Sequence, residues 1–284
     1  MGAIDICVGL QTPETVKLRP DWAKRFFEGT FKAANSTVQG VPLADYVDIM
    51  DEADVDVSLL FSPKAGPKHE PTSYRPDPKI VARAVESYPD RFRGLIGLDP
   101  TKPMQALAEL EYAVSSLGFI GAHIYPHWFG LPPDDALWYP IYAKCCELDI
   151  PIQMQVGHCL LYTSEKPLRS VGRPITLDKI ACDFPDLKVI GIHTGWPWAE
   201  EMVAIAYKHP NVYIGTDAYS PKHLDSKLVH YMNTFGNKKV LFGTDYPVID
   251  PRRAVSEFSS LELRDASLKM ILSENARRVY ALDN

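Results

Sequence analysis

The stretch Lys188-Val-Ile-Gly-Ile-His-Thr-Gly-Trp-Pro197 decides the fold that the sequence predicts. Its alternating β-branched residues indicate a buried strand, and the Thr-Gly pair followed by proline indicates a turn into a helix. His193 therefore ends a strand. The stretch Lys239-Val-Leu-Phe-Gly-Thr-Asp-Tyr-Pro247 has the same order, and Asp245 follows its strand. One polar residue at a strand end is usually a cap, but two such ends favour a functional site.

Strands and helices alternate along the whole chain. Apolar runs predict strands at 3–8, 55–61, 94–98, 119–125, 151–156, 188–193, 211–214 and 240–242. Helical periodicity predicts helices at 43–50, 79–88, 103–117, 136–148, 175–184, 197–209, 223–235 and 266–282. This alternation is typical of a (β/α)8 TIM barrel, and no linker or low-complexity run divides residues 1–284. We therefore predict one α/β TIM-barrel domain with a C-terminal helix.

The connections of this predicted barrel are unequal in length. Helix-to-strand connections are short, whereas the strand-to-helix connections at 10–42, 62–78, 126–135 and 157–174 are long. The long βα loops all fall on the C-terminal face of the barrel, which also carries His193 and Asp245. Long connections in a compact domain are usually lids or binding loops. We therefore expect loops 10–42 and 157–174 to cover the site.

The composition is that of an ordinary globular protein. The 284 residues are 46% hydrophobic and 23% charged, and the formal net charge of −6 argues against binding to nucleic acid or to an anionic membrane. The five cysteines have no metal-finger spacing, and no signal peptide or transmembrane run is recognisable. The sequence therefore predicts a cytoplasmic protein that acts on a small molecule.

Several short motifs occur in an order that is specific for one family. They are Ile4-Asp5, the DRFRG segment at 90–94, GFIG at 118–121, IHTG at 192–195, GTDYP at 243–247 and ENA at 274–276. With these motifs the chain resembles the amidohydrolase-related TIM-barrel proteins of the aminocarboxymuconate-semialdehyde decarboxylase type. That group includes aromatic acid decarboxylases, hydratases and lactonases.

The residues that hold a metal in this family are mostly replaced here. Metal-dependent members have two histidines on strand one, a histidine on strand five and an aspartate on strand eight; the corresponding residues here are Cys7, Gly9, Gln155 and Asp245. Because zinc sites use three or four nitrogen, sulfur or carboxylate ligands, we expect no metal and no cofactor. The alternative is zinc or manganese bound by Cys7, His123, His193 and Asp245.

Without a metal, His193 and Asp245 are the predicted catalytic residues. Metal-independent members of the family are lactonases, and the resemblance implies that Asp245 deprotonates a water molecule while His193 protonates or polarises the acyl oxygen. We therefore expect hydrolysis of a lactone or ester of a small cyclic or aromatic carboxylate. Two alternatives stay open: a metal-dependent decarboxylase or hydratase of an aromatic or muconate-type acid, and a barrel that only binds its ligand.

Further residues are expected to contact the substrate. Strand alternation lets Cys7, His123 and Gln155 face the barrel axis. His158 begins the loop after strand five, and the arginines of that loop could bind a substrate carboxylate in bidentate fashion. The full predicted binding set is Cys7, His123, Tyr125, Gln155, His158, Arg169, Arg173 and Trp196, with Tyr162 in the same loop as the arginines.

Two features of the strand-to-helix loops each have two interpretations. Asp217 follows strand seven and is either a cap of the next helix or a ligand of the site. The loops are also richer in aromatic residues than a solvated lid requires. These residues either cover the mouth of the barrel or form the contact of a homo-oligomer, and they are Trp22, Phe26, Phe27, Trp128 and Phe129.

Overall fold

Eight parallel strands form the framework of the computed structural model, which describes residues 2–30, 38–161 and 167–283. Each strand pairs with the next one along the chain. Their bounds are β1 Ala3–Gly9, β2 Val55–Ser62, β3 Phe92–Gly97, β4 Gly121–Ile124, β5 Ile152–Gln155, β6 Val189–Ile192, β7 Val212–Gly215 and β8 Val240–Leu241. The predicted (β/α)8 TIM barrel is confirmed, and each observed strand overlaps a predicted one.

Hydrogen bonds between β1 and the segment after β8 close the barrel. The amide of Asp245 donates to the carbonyl oxygen of Cys7 at 2.9 Å. Asp5 strengthens the seam, because its carboxylate accepts from the hydroxyl of Thr244 at 2.5 Å and from the amide of Thr244 at 3.0 Å. The closure brings the side chains of Cys7 and Asp245 together from opposite ends of the sequence.

The helices lie mainly between successive strands. Their bounds are α1 Pro13–Lys17, α2 Asp21–Gly29, α3 Leu43–Glu52, α4 Pro78–Ser87, α5 Pro103–Leu117, α6 Pro126–Phe129, α7 Tyr139–Glu147, α8 Thr176–Asp183, α9 Ala199–Lys208, α10 Ser226–Met232, α11 Pro251–Ser259, α12 Asp265–Lys269 and α13 Asn275–Tyr280. A π-helical turn, Met270–Glu274, interrupts the predicted C-terminal helix between α12 and α13. Within the described parts of the chain, no helix has both the length and the hydrophobicity of a membrane span.

Two apolar layers hold the strands in place. The side chains of Ile4 and Ile6 on β1 are fully buried in a cluster inside the barrel, whereas Ala3 and Val8 pack in the layer between strands and helices. Alternation of side chains along a strand accounts for Ala3, Ile4 and Ile6, and a register irregularity between Asp5 and Val8 places Val8 in the outer layer. Burying one aliphatic side chain of this size stabilises the fold by about 1.5–3 kcal/mol. The barrel therefore gives the strand ends fixed positions.

The two loops that were expected to cover the site pack against each other. The loop after β1 contains α1 and α2, neither of which was predicted from the sequence. Trp22 and Ala23 of α2 are buried in a cluster with Cys159 and Leu161 from the loop after β5. This contact lies over the C-terminal face of the barrel.

Candidate functional site

A cavity of about 180 Å³ opens at the carboxyl ends of the strands, under the loops. For comparison, an apolar cavity of about 150 Å³ in another protein binds benzene. The cavity therefore has room for one ring with small substituents. Five of the predicted site residues line it together, namely Tyr125, Gln155, His158, His193 and Asp245.

Aromatic side chains from the loops make up much of the cavity wall. Trp22, Phe26, Phe27 and Trp128 all line it, and the rings of Trp22 and Trp128 are 4.8 Å apart. Phe129 instead packs at 5.6 Å against the buried ring of Trp138. Of the two interpretations of these aromatic residues, the geometry favours cover of the barrel mouth. Such walls suit a ring-bearing ligand.

His193 and Asp217 form a buried pair at the ends of β6 and β7. Nδ1 of His193 lies 2.5 Å from Oδ2 of Asp217, and the amide of His193 donates to Oδ1 of the same carboxylate at 3.1 Å. Burial opposes a charge on the imidazole, but the carboxylate outweighs burial and raises the pKa of His193. Burial likewise opposes ionisation of Asp217, and the contact with His193 still lowers the pKa of that carboxyl group. The positive imidazole and the ionised carboxylate therefore stabilise each other in this pair.

The pairing with His193 decides between the two interpretations of Asp217. The N-cap of α10 is Asp225, whose side chain accepts from the amide of Lys227 at 2.8 Å. Asp217 is therefore free to orient His193. Because Nδ1 is engaged, Nε2 is the ring nitrogen of His193 that is left for a ligand.

The backbone of the site is strained at two strand ends. His193 has a φ of 67° and Asp245 a φ of 54°, both in the left-handed region that favours glycine. A residue held in such a conformation costs about 1–3 kcal/mol, and such residues cluster at active sites. Ala218, next to Asp217, is a further example with a φ of 67°.

Asp245 and Cys7 are neighbours at the seam of the barrel. Sγ of Cys7 lies 3.8 Å from Oδ1 of Asp245, although Cys7 itself does not reach the cavity wall. Burial raises the pKa of Asp245 to about 7, against the opposing effect of His193. Burial also raises the pKa of the Cys7 thiol well above its ordinary value. Cys7 is therefore a protonated thiol, and Asp245 titrates near neutral pH.

His123 lies behind the cavity wall. Its ring stacks on Phe61 with the centroids 4.4 Å apart and meets Tyr125 at 4.5 Å. Burial lowers the pKa of His123 to about 3, so the imidazole is neutral. Among the described residues, neither ring nitrogen has a hydrogen-bond partner of good geometry, although the side chain of Gln153 is close enough to act on the pKa of His123. A buried imidazole in this situation is a candidate ligand for a metal or a substrate.

Three predicted binding residues lie away from the cavity. Arg169 and Arg173 are exposed and do not line it. The guanidinium of Arg173 is engaged elsewhere, because it donates to Glu201 at 2.6 Å. The expectation that these arginines form a substrate clamp is therefore corrected. Trp196 is 42% exposed and stands outside the lining, 6.0 Å from the ring of His158, and Tyr162 lies outside the described residues.

The guanidinium of Arg19, in the turn between α1 and α2, does line the cavity. Its Nη2 donates to Oε1 of Gln11 at 2.5 Å, and the guanidinium lies 4.5 Å from the centre of the Phe27 ring. Sequence reasoning missed Arg19. No local pattern distinguishes it from the other arginines in the loops, and its position depends on how α1 and α2 fold.

The sequence profile of the amidohydrolase family matches residues 47–282. A 2-keto-4-carboxy-3-hexenedioate hydratase from Sphingobium sp. is 28% identical over 245 residues, which cover 71% of this chain and 69% of that protein. A gamma-resorcylate decarboxylase from Polaromonas sp. is 27% identical over 257 residues, covering 72% and 74%. A solved dihydroxybenzoic acid decarboxylase from Polaromonas sp. JS666, with bound manganese and the inhibitor 2-nitroresorcinol, has a TM-score of 0.74 at 19% identity, covering 100% of this chain and 98% of that one.

These similarities contradict the expectation that no cofactor takes part, and they favour a different reaction class from the expected hydrolysis. The prediction that no cofactor takes part is wrong, because a structural relative of the same architecture was crystallised with bound manganese. The two relatives in sequence are a hydratase and a decarboxylase, so they support the lyase alternative rather than lactone hydrolysis.

The side chains of Cys7 and Asp245 at the seam of the barrel are of types that bind divalent metals. Ligand distances of about 2.0–2.3 Å place two ligand atoms of one tetrahedral ion roughly 3.5 Å apart. The thiol of Cys7 and the carboxylate of Asp245 are close to that separation, at 3.8 Å. His123 offers ring nitrogens without a partner in the described structure. The ligand atoms of Cys7, Asp245 and His123 do not all lie within 4.8 Å of one another in the described structure, so a set of three would require side-chain movement.

A cluster outside the cavity is the one group in the described ranges whose three ligand atoms already lie within 4.8 Å of one another. It consists of Asp178, Cys182 and His209, on α8 and after α9. Nζ of Lys208 lies 2.6 Å from Oδ1 of Asp178. Because that ammonium already balances the carboxylate, the cluster is an ordinary surface ion pair with a neighbouring imidazole.

The position of the second family histidine on β1 is closely confined by its neighbours. A Cβ atom at Gly9 would lie 3.0 Å from the carbonyl oxygen of Tyr246 and 3.3 Å from the side chains of Gln11 and Phe61. These groups would have to shift before the position could accept a larger side chain. Any metal here would therefore have a different ligand set from that of the metal-dependent relatives.

Proposed function

This chain is a member of the amidohydrolase family, and from that premise we propose that it is a lyase that removes carbon dioxide from a small ring-bearing carboxylic acid without oxidation. The observation that carries the proposal is the pair of His193 and Asp217, which holds a proton at the wall of a cavity with room for one ring. Decarboxylation of this kind requires a proton donor for the carbon atom that loses its carboxylate. The gamma-resorcylate decarboxylase among the relatives supports this choice of reaction.

In the proposed step, Nε2 of His193 gives its proton to the ring carbon that bears the carboxylate. A carbon–hydrogen bond forms, the bond to the carboxylate breaks, its electron pair returns to the ring, and carbon dioxide leaves. Asp217 stays ionised, fixes the ring through Nδ1 and stabilises the imidazolium before the transfer. Water then returns a proton to His193. General acid catalysis of this type contributes about 10²- to 10⁴-fold to the rate.

The apolar walls favour the same reaction. A carboxylate transferred from water into an apolar cavity loses hydration, which raises its free energy. Carbon dioxide is neutral, so its departure relieves that cost in the transition state. The aromatic wall formed by Trp22, Phe27, Phe61 and Trp128 therefore assists loss of the charged group.

Asp245 and Cys7 lie beside the proton donor and complete the polar part of the site. Asp245 provides a second acid near neutral pH, because burial raises its pKa to about 7. Together with Cys7 and His123 it would hold a divalent metal. Such an ion, when bound, would supply a positive charge that polarises and orients an oxygen of the substrate.

Hydration of a carbon–carbon double bond is the second candidate reaction. The observation in its favour is the hydratase from Sphingobium sp., which is 28% identical over 71% of this chain. Hydration also requires an acid for one carbon and a base for water, and His193 and Asp245 at the cavity wall could serve as that acid and base.

Carbon dioxide release from a panel of acids tests the proposal. The purified protein, with EDTA or with added Mn²⁺ or Zn²⁺, is incubated with 2,6-dihydroxybenzoate, related hydroxybenzoates, a conjugated enedioate and an aryl lactone. We expect carbon dioxide from a hydroxybenzoate, and His193→Ala should lower this rate at least about 100-fold. The variant His230→Ala, at an exposed position of α10, is the matched control. Turnover of the lactone alone would overturn the proposal.

A further inference from the structure

Arg19 is a cation in a largely apolar part of the cavity. Its guanidinium lies between Gln11 and the ring of Phe27, near the hydroxyl of Tyr74. Burial lowers the pKa of Arg19, and Tyr74 acts in the opposite direction. Arginine remains protonated in proteins even so. The structure therefore keeps a permanent positive charge at the cavity wall.

No carboxylate of the described chain neutralises this charge. Arg19 has no ion pair among residues 2–30, 38–161 and 167–283, whereas Arg75 pairs with Asp99 at 2.6 Å and Arg173 pairs with Glu201 at 2.6 Å. Asp77 also lines the cavity, but its carboxylate accepts from the amide of Lys79 at the start of α4. A buried charge is costly unless it is paired. A ligand that brings an anion to Arg19 would supply a charged partner that no carboxylate of the described residues provides.

Arg19 and the proton donor occupy different electrostatic neighbourhoods. The charged groups that act on Asp245 are His193 and Asp217, and those that act on His193 are Asp217 and Asp245. The titratable side chain that acts on Arg19 is Tyr74. Arg19 and His193 therefore both line the cavity, and neither is among the groups that shift the pKa of the other.

Chemistry argues against contact between Arg19 and the carboxylate that leaves. A bidentate guanidinium–carboxylate pair stabilises the charged ground state. The leaving group becomes neutral, so this stabilisation would be lost in the transition state and would slow the reaction. Contact with a second anionic group of the substrate, away from the reacting carbon, is retained from the ground state to the transition state. It therefore positions the ring without slowing the reaction.

We propose that Arg19, oriented by Gln11, anchors a second anionic group of the substrate, so that the preferred substrate carries one carboxylate that reacts and another that stays bound. This inference rests on the proposed function, because it takes the His193 end of the cavity as the place of reaction. It narrows the substrate class to ring-bearing diacids. Arg19 therefore replaces Arg169 and Arg173, which the sequence predicted to bind a substrate carboxylate.

Binding of simple aromatic acids tests this assignment without turnover. Dissociation constants of benzoate, phthalate, isophthalate and terephthalate are measured by calorimetry at fixed ionic strength. At least one of the three dicarboxylates should bind about tenfold or more tightly than benzoate, as expected for one added charge-assisted contact. Arg19→Gln should remove that preference and leave the affinity for benzoate nearly unchanged. Arg19→Lys should retain part of it, since the charge remains without the planar fork.

Two variants separate Arg19 from other cations. Lys24→Gln removes a charge from α2 at an exposed position, and Arg173→Gln removes the arginine that was first expected to bind the substrate. Both should keep the preference for the dicarboxylate. Equal affinities for benzoate and all three dicarboxylates, or a preference that survives Arg19→Gln, would overturn the inference. A clear preference without release of carbon dioxide from any acid would instead overturn the proposed function and leave the anchor in place.

Discussion

Nδ1 of His193 lies 2.5 Å from Oδ2 of Asp217, and the side chain of Asp217 has no exposed surface. The two residues follow neighbouring strands, β6 and β7, so the barrel itself sets their separation. The carboxylate stabilises the positive imidazole and leaves Nε2 available at the cavity wall. In the proposed mechanism, this relationship suits His193 to donate a proton.

Replacement of Asp217 should weaken His193 as a proton donor while leaving the imidazole in place. In Asp217→Asn the neutral amide no longer stabilises the imidazolium, so the pKa of His193 should fall and kcat/KM should drop about 10²- to 10⁴-fold. The pKa is read from the imidazole resonances by NMR, and the pH profile of kcat/KM should shift to lower pH with it. Asp225→Asn, which alters a helix cap instead, should shift neither. An unchanged His193 pKa in Asp217→Asn would contradict this role.

Metal affinity should depend on Cys7 and Asp245. Both groups must lose a proton to bind a metal, so Zn²⁺ or Mn²⁺ binding should release protons and should strengthen as the pH rises through about 7. Calorimetry in two buffers with different ionisation enthalpies measures the release. Cys7→Ala and Asp245→Asn should each weaken binding about tenfold or more.

The surface cluster provides the matched control for that experiment. Cys182→Ala removes the thiol of the group formed by Asp178, Cys182 and His209, and it should leave the affinity unchanged. The opposite pattern, with binding lost in Cys182→Ala and retained in Cys7→Ala, would locate the metal at the surface cluster.

The stability of the metal-free protein should depend on the ionisation of Asp245. The folded state raises the pKa of this group from 3.8 to about 7, so its favourable contribution is complete below pH 3.8 and is lost as the pH rises through 7. Asparagine does not ionise. Asp245→Asn should therefore be more stable than wild type at pH 8, by up to about 4 kcal/mol, and should lose this advantage towards pH 4.

Urea denaturation in EDTA at several pH values measures this difference. Asp99→Asn is the contrasting variant, because the hydrogen bonds from Thr101 and Arg75 outweigh burial and lower the pKa of Asp99. Its ionised form stabilises the fold, so the substitution should cost stability at pH 8. An Asp245→Asn difference that does not vary with pH would show that Asp245 titrates normally.

Introduction of the family histidine at Gly9 should not restore metal binding. The side chain would meet the carbonyl oxygen of Tyr246 and the side chains of Phe61 and Gln11. We expect Gly9→His to lower the free energy of unfolding by about 1–3 kcal/mol without a gain in metal affinity. Thermal unfolding of Gly9→His measures the loss of stability, and metal titration of the same variant measures its metal affinity. A stable variant with tighter metal binding would mean that this end of the cavity rearranges easily.

Much of the barrel was predictable because its signals are local. Strand β6 follows from the β-branched run before His193, and α5 was predicted with its observed bounds, Pro103–Leu117. Helix α11 was missed although Asp250 and Pro251 form a recognisable N-terminus. Helices α1 and α2 were also missed, although Thr12 and Pro13 form a recognisable N-terminus for α1 and the apolar residues of α2 have helical spacing.

The site was predictable only where strand ends identify it. His193 and Asp245 were found because each follows a buried strand, and the geometry brings both to one cavity. Asp217 stayed ambiguous, since a carboxylate after a strand serves equally well as a helix cap. Arg19 depended on the tertiary packing of the loop after β1. The choice between arginines is set by which ones reach the cavity in the folded chain, and the sequence does not reveal that.

The most direct test of the central claim is the fate of the carboxylate and of the proton from His193. The best substrate of the acid panel is converted in D₂O, and the product is examined by ¹H NMR. We predict a product that has lost one carboxylate and carries one deuterium at that carbon, with the rate at least about 100-fold lower in His193→Ala. A product that retains every carboxylate, or an unchanged rate in His193→Ala, would contradict the account.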